Sequence, residues 1–149
     1  MKIKVSRFRK DALLPTRKTE GSAGWDLRAC LDNECIVHPG ETKIINTGLN
    51  VSIPLGWEIQ IRSRSGLATK GIHVLNSPGT IDSDYKGVGE KFEINVIIHN
   101  SGSSEFRISN QDRIAQAVVS KIPDVEWIEV DSIEEETNRK GGLGSTGIK

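Results

Sequence analysis

Two carboxylates and the chain's only tyrosine lie within four positions of each other, at Asp82, Asp84 and Tyr85. Gly79 and Gly87 flank this acidic segment, and glycines at both ends indicate that the backbone bends there. A carboxylate held beside a bound phosphate can act as a general base that takes a proton from attacking water. The alternative is a surface β-turn in which Asp and Ser side chains cap backbone amides, and the segment by itself favours that turn.

Two further segments have the composition of phosphate-binding sites. The first is RSRSGLA at 62–68, which directly follows an alternating stretch at 57–61. There an arginine fork, a serine hydroxyl and free backbone amides would converge on an anion, or else the segment is a strand-to-turn corner with solvated charges. The second is RKGGLGSTG at 139–147, where glycines allow backbone amides to curl around an anion. Its alternative is a frayed chain terminus.

Most of the chain alternates apolar and polar residues with a period of two, which is typical of half-buried strands. The clearest alternations are Ile3/Val5, Trp57/Ile59/Ile61, Phe92/Ile94/Val96/Ile98 and Phe106/Ile108. Only residues 65–70 and 113–119 have any helical pattern, and the second segment fits a strand equally well. Many short strands separated by turn signals predict an all-β sandwich, barrel or jelly roll.

The length of 149 residues predicts one domain, which we place at residues 1–130. Residues 131–149 are first acidic and then rich in glycine, so we expect a flexible C-terminal tail whose ordering entropy burial cannot offset. Among the tryptophans, Trp25 and Trp57 are expected in the core and Trp127 at an interface.

Charge and composition argue against several classes of protein. Lys and Arg number 20, as do Asp and Glu, and that balance argues against a non-specific nucleic-acid binder. No apolar run reaches the roughly 20 residues that span a bilayer, and the first residues lack a signal-peptide core. The two cysteines, Cys30 and Cys35, make no disulfide framework, so we expect free thiols in a reducing cytoplasm.

Five segments stand in an order that resembles the motif series of the homotrimeric dUTP pyrophosphatases (dUTPases). They are AGWDLRA at 23–29, RSGLA at 64–68, GTIDSDYKG at 79–87, DRIAQ at 112–116 and GGLGSTG at 141–147. Each motif is weak alone, but five in this order and spacing are specific, and they extend over nearly the whole chain. The resemblance implies an all-β jelly roll that forms a homotrimer, with three active sites each built from all three chains.

The resemblance also implies a reaction, the hydrolysis of dUTP to dUMP and pyrophosphate. That reaction limits uracil incorporation into DNA and supplies dUMP for dTMP synthesis. Asp82 matches the family's general base for the water that attacks the α-phosphorus. Asp26 matches a carboxylate that holds Mg²⁺ through water, so the implied cofactor is Mg²⁺. The implied partners are dUTP and two further copies of the chain, with no membrane and no nucleic acid.

The remaining matched residues would surround the nucleotide. Tyr85 matches the ring that packs under the deoxyribose and leaves no room for a 2′-hydroxyl. The other positions matched to uracil and deoxyribose are Asn76, Gly79, Thr80, Ile81 and Leu143. The positions matched to the phosphates are Arg64, Ser65, Gly66, Gln116, Arg139, Gly144, Ser145 and Thr146. The tail at 131–149 would close over the nucleotide.

The sequence departs from the family pattern at four places, one of which is Ser63 beside the second motif, where proline is common. Leu143 stands where the family usually has an aromatic ring that stacks on uracil. The tail is one residue shorter than the common form, which leaves open whether Arg139 or Lys140 meets the γ-phosphate. Five residues at 88–92 intervene before the strand expected at 93–98, which predicts a longer hairpin near the site or near a subunit contact.

Three alternatives to a dUTPase compete with this interpretation. A dCTP deaminase of the same fold would act on the cytosine ring, but Tyr85 and the tail fit dUTPases better. A catalytically inactive jelly-roll protein would bind a partner through residues 88–92, and the intact Asp82 argues against inactivity. A structural β-sandwich without a ligand is opposed by the five ordered motifs.

Overall fold

The computed structural model describes residues 1–85 and 92–133. Within these ranges the chain forms strands and one helix of a single turn, which confirms the all-β prediction. The strands are β1 (Lys4–Arg7), β2 (Gly24–Arg28), β3 (Cys35–Val37), β4 (Thr42–Asn46), β5 (Leu49–Ser52), β6 (Trp57–Arg62), β7 (Ile72–Val74), β8 (Gly79–Ile81), β9 (Asn95–Asn100), β10 (Phe106–Ile108) and β11 (Arg113–Lys121); the helix α1 is Ser65–Ala68. No helix in the described ranges has the length and apolar character needed to cross a bilayer.

The largest sheet has four antiparallel strands in the order β2-β11-β6-β8. Its strand β6 lies between β11 and β8, so Ile61 is opposite Ala117 on one side and Gly79 on the other. A three-stranded sheet in the order β4-β9-β7 and the pairs β1-β5 and β3-β10 complete the arrangement. Most neighbouring strands are distant in sequence, so long-range pairing rather than local hairpins determines this fold.

Alternation along the strands separates the core from the surface as the sequence predicts. In β9, Val96, Ile98 and Asn100 are buried, whereas the residues between them are half-buried. In β6, Ile59 and Ile61 are buried in the same way. Each fully buried aliphatic side chain contributes about 1.5–3 kcal/mol relative to an exposed one. The core therefore comes from many short strands, each of which, apart from β1, supplies between one and three such side chains.

The two segments with a helical pattern have different outcomes. Residues 65–70 contain α1, so the prediction of a turn or two of helix there is confirmed. Residues 113–119 lie in β11, so the helical alternative for this segment is wrong. Because β11 pairs with β2 on one edge and β6 on the other, strand neighbours satisfy its backbone polar groups on both sides.

The tryptophans divide between core and surface. Trp57 is half-buried and packs against the core, as expected. The prediction for Trp25 is wrong, because 37% of its surface is exposed. Its indole lies in an apolar groove of about 410 Å³, with the Arg17 guanidinium 5.2 Å from the ring centre. The groove is lined by Met1, Ile3, Val5, Leu14, Pro15, Trp25, Val51, Ile59, Ala117 and Val119.

A buried carboxylate fixes the chain where β9 approaches β5. Glu93 is 7% exposed and accepts hydrogen bonds from the Gly48 backbone amide at 2.6 Å and from Asn46 Nδ2 at 3.1 Å. A buried carboxylate needs such donors, because desolvation without them costs several kcal/mol. Phe92, just before it, has a positive φ of 49°, so the chain turns sharply as it enters this anchored position.

The backbone at Gly71 packs closely against the backbone of a second loop at Gly102. Its φ is +78°, and a Cβ built there would lie 2.6 Å from the backbone nitrogen of Gly102. Its carbonyl oxygen accepts a hydrogen bond from the Ser101 amide at 2.8 Å. Both the backbone conformation and the close approach therefore require glycine. Gly40 has nearly the same φ of +77° but open space around its Cα, so only the backbone conformation requires glycine there.

We expect Gly71→Ala to destabilise the fold more than Gly40→Ala. The shared left-handed conformation costs about 1–2 kcal/mol in either variant. The clash with the second loop adds about 1–3 kcal/mol for Gly71→Ala alone. Urea unfolding at one fixed protein concentration measures the difference. Equal free energies of unfolding for the two variants would contradict the close packing of the loops.

Candidate active site

The loop between β7 and β8 forms one wall of a small pocket of about 130 Å³. This loop contains Asn76 and a cis peptide bond between Ser77 and Pro78. We call it the hairpin for its tight turn, although β7 and β8 belong to different sheets. The structure brings together here five of the six residues predicted to bind uracil and deoxyribose. We call this the hairpin pocket, and it is lined by Ile44, Ile61, Val74, Asn76, Gly79, Thr80, Ile81, Tyr85, Asn95 and Ile97.

The hairpin is tied to its own sheet by short contacts. A Cβ at Gly79 would lie 2.8 Å from Asn76 Nδ2, so this position needs glycine for the amide side chain to fold back over β8. Ser63 Oγ accepts a hydrogen bond from the Val74 amide at 2.9 Å, and the Ser63 amide donates to Ser77 Oγ at 3.3 Å. The end of β6 therefore holds both arms of the hairpin in place.

Tyr85 supplies an aromatic wall to the hairpin pocket. The ring is half-buried and packs against the hydrophobic core. Burial disfavours the charged phenolate and raises the pKa of Tyr85 above its ordinary value near 10, so the ring is neutral at physiological pH. The Tyr85 amide donates to the carbonyl oxygen of Asp82 at 3.2 Å, which closes a turn over residues 82–85. The ring and the carboxylate therefore belong to one hydrogen-bonded turn.

Asp82 follows β8 directly and lies at the edge of this turn. Its side chain is exposed, as is that of Asp84. Within residues 1–85 and 92–133, neither carboxylate takes part in an ion pair. A carboxylate that is not held by a cation keeps its lone pairs available for a water proton.

A second group of polar side chains lies where β2, β11 and β6 run side by side. The Asp26 carboxylate, 19% exposed, contacts Arg64 Nε at 3.1 Å and Arg113 Nη1 at 3.4 Å. Arg64 also donates to the Arg113 carbonyl oxygen at 2.8 Å. We call Asp26, Arg64, Arg113 and Gln116 the Asp26 cluster. Its two guanidiniums give it the positive charge that a phosphate requires.

Gln116 and α1 extend the Asp26 cluster. Gln116 Nε2 donates to the Ser63 carbonyl oxygen at 2.9 Å. Gly24 makes room for this amide, because a Cβ there would overlap the Gln116 side chain. Ser65 and Gly66 form the exposed first turn of α1, where backbone amides have no carbonyl of a preceding turn to bond. Four of the eight predicted phosphate-binding residues therefore lie close together.

Asp82 and the Asp26 cluster are separated within one chain. Gln116 is opposite Arg62 at one end of β6, whereas Ile81, just before Asp82, is opposite Ile59 three residues away. Three residues of strand span about 10 Å, and the chain runs further still to reach Asp82. A single chain thus keeps Asp82 away from its own Asp26 cluster, although Ser63 at the end of β6 contacts both the β7–β8 loop and Gln116.

Several contributing residues were not among the predicted site residues. Arg113 contacts Asp26 although the two are 87 positions apart, and only the pairing of β11 with β2 brings them together. Ser63 holds the hairpin, and Ile44, Asn95 and Ile97 line the pocket from the second sheet. Arg113 stands inside the fourth motif, which is the one sequence signal that points to it.

The other predicted residues lie outside the described residues. These are Leu143, together with Arg139, Lys140, Gly144, Ser145 and Thr146 of the tail. Of the five extra residues at 88–92, the structure describes Phe92 alone. In the described part of the chain, no group of three or more His, Cys, Asp or Glu side chains is placed to hold a metal ion.

Comparison with known proteins identifies the relatives of this chain. The dUTPase family model matches residues 10–147. Deoxyuridine 5′-triphosphate nucleotidohydrolase of Nautilia profundicola is 47% identical over 148 residues and that of Anaplasma marginale 47% over 150 residues, each covering 99% of both chains. The dUTPase of Staphylococcus bacteriophage 80alpha, solved with dUPNHPP, superposes with a TM-score of 0.84 at 26% identity and covers 99% of both chains.

A second phage structure has the same fold. The D95N variant of the dUTPase from S. aureus phage phi11, described with a structural Mg(II) ion, superposes with a TM-score of 0.77 at 23% identity. It covers 91% of this chain and all of its own. These superpositions confirm the predicted jelly roll. Together with the family match over most of the chain, they lead to one conclusion: this chain belongs to the dUTPase family of enzymes, which hydrolyse dUTP.

Proposed function

We propose that this chain hydrolyses dUTP to dUMP and pyrophosphate by a water molecule that Asp82 activates. The observation that carries the proposal is the hairpin pocket, where polar and aromatic walls for a nucleoside lie beside Asp82, whose carboxylate has no ion pair within residues 1–85 and 92–133. The family match supports dUTP as the substrate, and the geometry of the pocket supports the choice of residues.

The size and polarity of the hairpin pocket suit one pyrimidine base. At about 130 Å³ it is smaller than the roughly 300–1,000 Å³ of pockets that hold drug-sized ligands. Asn76 and the backbone of the hairpin offer both donors and acceptors, which the edge of uracil requires. Ile81 and Ile97 provide apolar walls for the faces of the ring. The pocket therefore accommodates a single ring and orients it by its edge.

Tyr85 accounts for the choice of deoxyribose over ribose. Its neutral ring forms a wall of the pocket and cannot move freely, because it packs against the core. A ribose 2′-hydroxyl placed against that ring would lose its water without gaining a hydrogen bond. Such an unpaired polar group costs about 1–3 kcal/mol, which is enough for a large preference.

The chemical step needs a base and an aligned water. The Asp82 carboxylate accepts a proton from water while the water oxygen attacks the α-phosphorus. The bond from that phosphorus to the bridging oxygen breaks, and pyrophosphate leaves with the electron pair. A positioned base contributes about 10²–10⁴-fold, so alignment and charge stabilisation at the phosphates supply the remainder.

The separation of the two groups supports a site shared between chains. A nucleotide in the hairpin pocket of one chain has its α-phosphate near Asp82, about 10 Å or more from the Asp26 cluster of that chain. We propose that a neighbouring copy supplies Arg64, Ser65, Gly66 and Gln116, in a homotrimer with three such sites.

Exposed apolar surface supports the same assembly. The segment after β11 exposes Trp127 to 94%, and its other apolar side chains are also exposed: Ile122, Val125, Ile128, Val130 and Ile133. The groove around Trp25 is apolar and open as well. Apolar patches of this kind mark interaction surfaces in proteins. Assembly would cover them, in agreement with an interface position for Trp127.

The Asp26 cluster fits a role for Mg²⁺ through water. A carboxylate is the ligand type that Mg²⁺ prefers, and both Asp26 oxygens already accept guanidinium contacts, so a metal-bound water suits the site better than direct ligation. When bound, Mg²⁺ neutralises triphosphate charge and favours one conformer. Asp26 would hold the ion through its waters, while Arg64 and Arg113 orient Asp26.

The tail would contact the nucleotide, and the reaction would serve DNA synthesis. Arg139, Ser145 and Thr146 would contact the γ-phosphate, Gly144 would let the backbone approach it, and Leu143 would cover uracil. Removal of dUTP limits uracil in DNA, and the dUMP produced feeds dTMP synthesis. The free thiols of Cys30 and Cys35 agree with a reducing cytoplasm as the location.

We expect Asp82→Asn to lower turnover of dUTP by at least about 10²-fold with little change in binding. Asparagine keeps the shape of the side chain but cannot accept the proton of water. Pyrophosphate release measures turnover, and calorimetry measures binding of dUTP. Asp84→Asn is the matched control, because it removes an exposed carboxylate two residues away, and it should retain near-normal turnover. A normal rate for Asp82→Asn would eliminate Asp82 as the base.

Tyr85→Ala should raise kcat/KM for UTP relative to dUTP, because the variant removes the wall against the 2′-hydroxyl. Tyr85→Phe keeps the ring and should leave the ratio near that of the unaltered protein. The ratio of kcat/KM for UTP to kcat/KM for dUTP is measured on one preparation of each protein. A partly unfolded fraction lowers both values equally and leaves the ratio unchanged. An unchanged ratio in a folded Tyr85→Ala protein would argue against the steric role.

A chain that ends after Glu136 should fold with unaltered thermal stability yet lose at least about tenfold in kcat/KM for dUTP. The truncation removes the proposed γ-phosphate contacts and the cover over uracil, but no residue of the described core. The control chain lacks only Ile148 and Lys149. Full dUTP turnover by the truncated chain would contradict this role and favour the alternative that the tail is a frayed terminus.

A further inference from the structure

Two of the three histidines face each other on the three-stranded sheet. His73 in β7 is directly opposite His99 in β9, and both are half-buried on the face that points away from the core. Their ring centres are 5.3 Å apart, and the ring planes meet at 68°. Neither belongs to the hairpin pocket or to the Asp26 cluster, so the proposed reaction does not account for the pair.

A threonine on the third strand fixes one of the two rings. Thr42 in β4 is opposite His99, and its Oγ1 lies 2.9 Å from His99 Nδ1. With Nδ1–H donating to Thr42, the Nε2 of His99 carries a free lone pair. Metal-binding histidines are held in this way, by a hydrogen bond on the nitrogen that does not bind the metal. In the described part of the chain, His73 has no hydrogen bond that would compete for its nitrogens.

The separation of the rings matches a shared ion. Two imidazole nitrogens at about 2.0–2.1 Å from one tetrahedral ion place the ring centres roughly 5 Å apart. The observed 5.3 Å agrees with that value. Directly opposite positions on paired strands also fix the backbone, so little rearrangement is needed to bring the second nitrogen to the ion.

We propose that His73 and His99 chelate one transition-metal ion of the imidazole-binding class, Zn²⁺, Ni²⁺ or Cu²⁺, with water in the remaining positions. Oxygen-seeking Mg²⁺ does not suit this pair, so the site is chemically distinct from the Asp26 cluster. The ion would link β7 to β9, whose residues Val74 and Ile97 line the hairpin pocket. Because the ion binds the folded sheet, it raises the thermal stability of the protein.

Titration of the nucleotide-free, full-length protein with Zn²⁺ alone tests the site. We expect one Zn²⁺ per chain in calorimetry, and at least about tenfold weaker binding in either His73→Gln or His99→Gln, because each variant loses the chelate. His38→Gln is the matched control, since His38 is the third histidine of the chain and is exposed, and it should bind like the unaltered protein. Thr42→Val should weaken binding about tenfold while both ligands remain.

A spectroscopic measurement keeps the test independent of how well the variants fold. Electron paramagnetic resonance of the unaltered protein with one equivalent of Cu²⁺ should show coupling to two imidazole nitrogens. Unfolding in the presence of a chelator should give similar melting temperatures for all variants, whereas Zn²⁺ should raise the melting temperature more in the unaltered and His38→Gln proteins than in His73→Gln, His99→Gln or Thr42→Val. Equal Zn²⁺ affinity in the unaltered and His73→Gln proteins, or a Cu²⁺ spectrum without two imidazole nitrogens, would overturn the proposal.

Discussion

The position of β6 between β11 and β8 is the constraint on which the rest of the structure depends. One edge of β6 sets the register of β11. Through β11 it also sets the contact between Arg113 on β11 and Asp26 on β2. The other edge sets the register of β8, and so the place of the hairpin pocket. Because side chains alternate along a strand, a slip of one residue would turn both groups to the wrong face. The buried Ile59 and Ile61 oppose such a slip.

The end of β6 links the two groups mechanically. Ser63 bonds to the hairpin through its hydroxyl and amide and to Gln116 through its carbonyl oxygen. One residue therefore connects the pocket for the nucleoside to the cluster suited to phosphates. We interpret the separation of these groups along the strand as a geometric reason for assembly. Strand β6 holds Asp82 about 10 Å or more from the Asp26 cluster of the same chain, which agrees with the proposal that a second chain supplies one of them to the bound nucleotide.

Polar side chains inside this small domain are held by backbone donors and acceptors. The Glu93 carboxylate accepts a hydrogen bond from the Gly48 amide, and the Asn100 side chain donates to the carbonyl oxygen of Val37 at 2.8 Å. Each bond joins segments that are more than 40 residues apart, so these polar contacts fix topology as well as satisfying buried atoms. The three-stranded sheet β4-β9-β7 also has a face that points away from the core. Side chains on that face, including His73 and His99, are not needed for core packing.

The sequence by itself determined the all-β class, the core positions of β6 and β9, five residues of the hairpin pocket, and Asp82 as the candidate base. These features depend on alternation or on short motifs, and both act between residues that are close in the chain. Tertiary structure alone decided that residues 113–119 are a strand, that Trp25 is exposed in a groove, and that Arg113 contacts Asp26. It also decided that Gly24 must make room for Gln116. Those outcomes depend on which strands pair. Strand pairing is selected by packing over the whole domain, because the same alternation fits many partners and only one arrangement buries every apolar face at once.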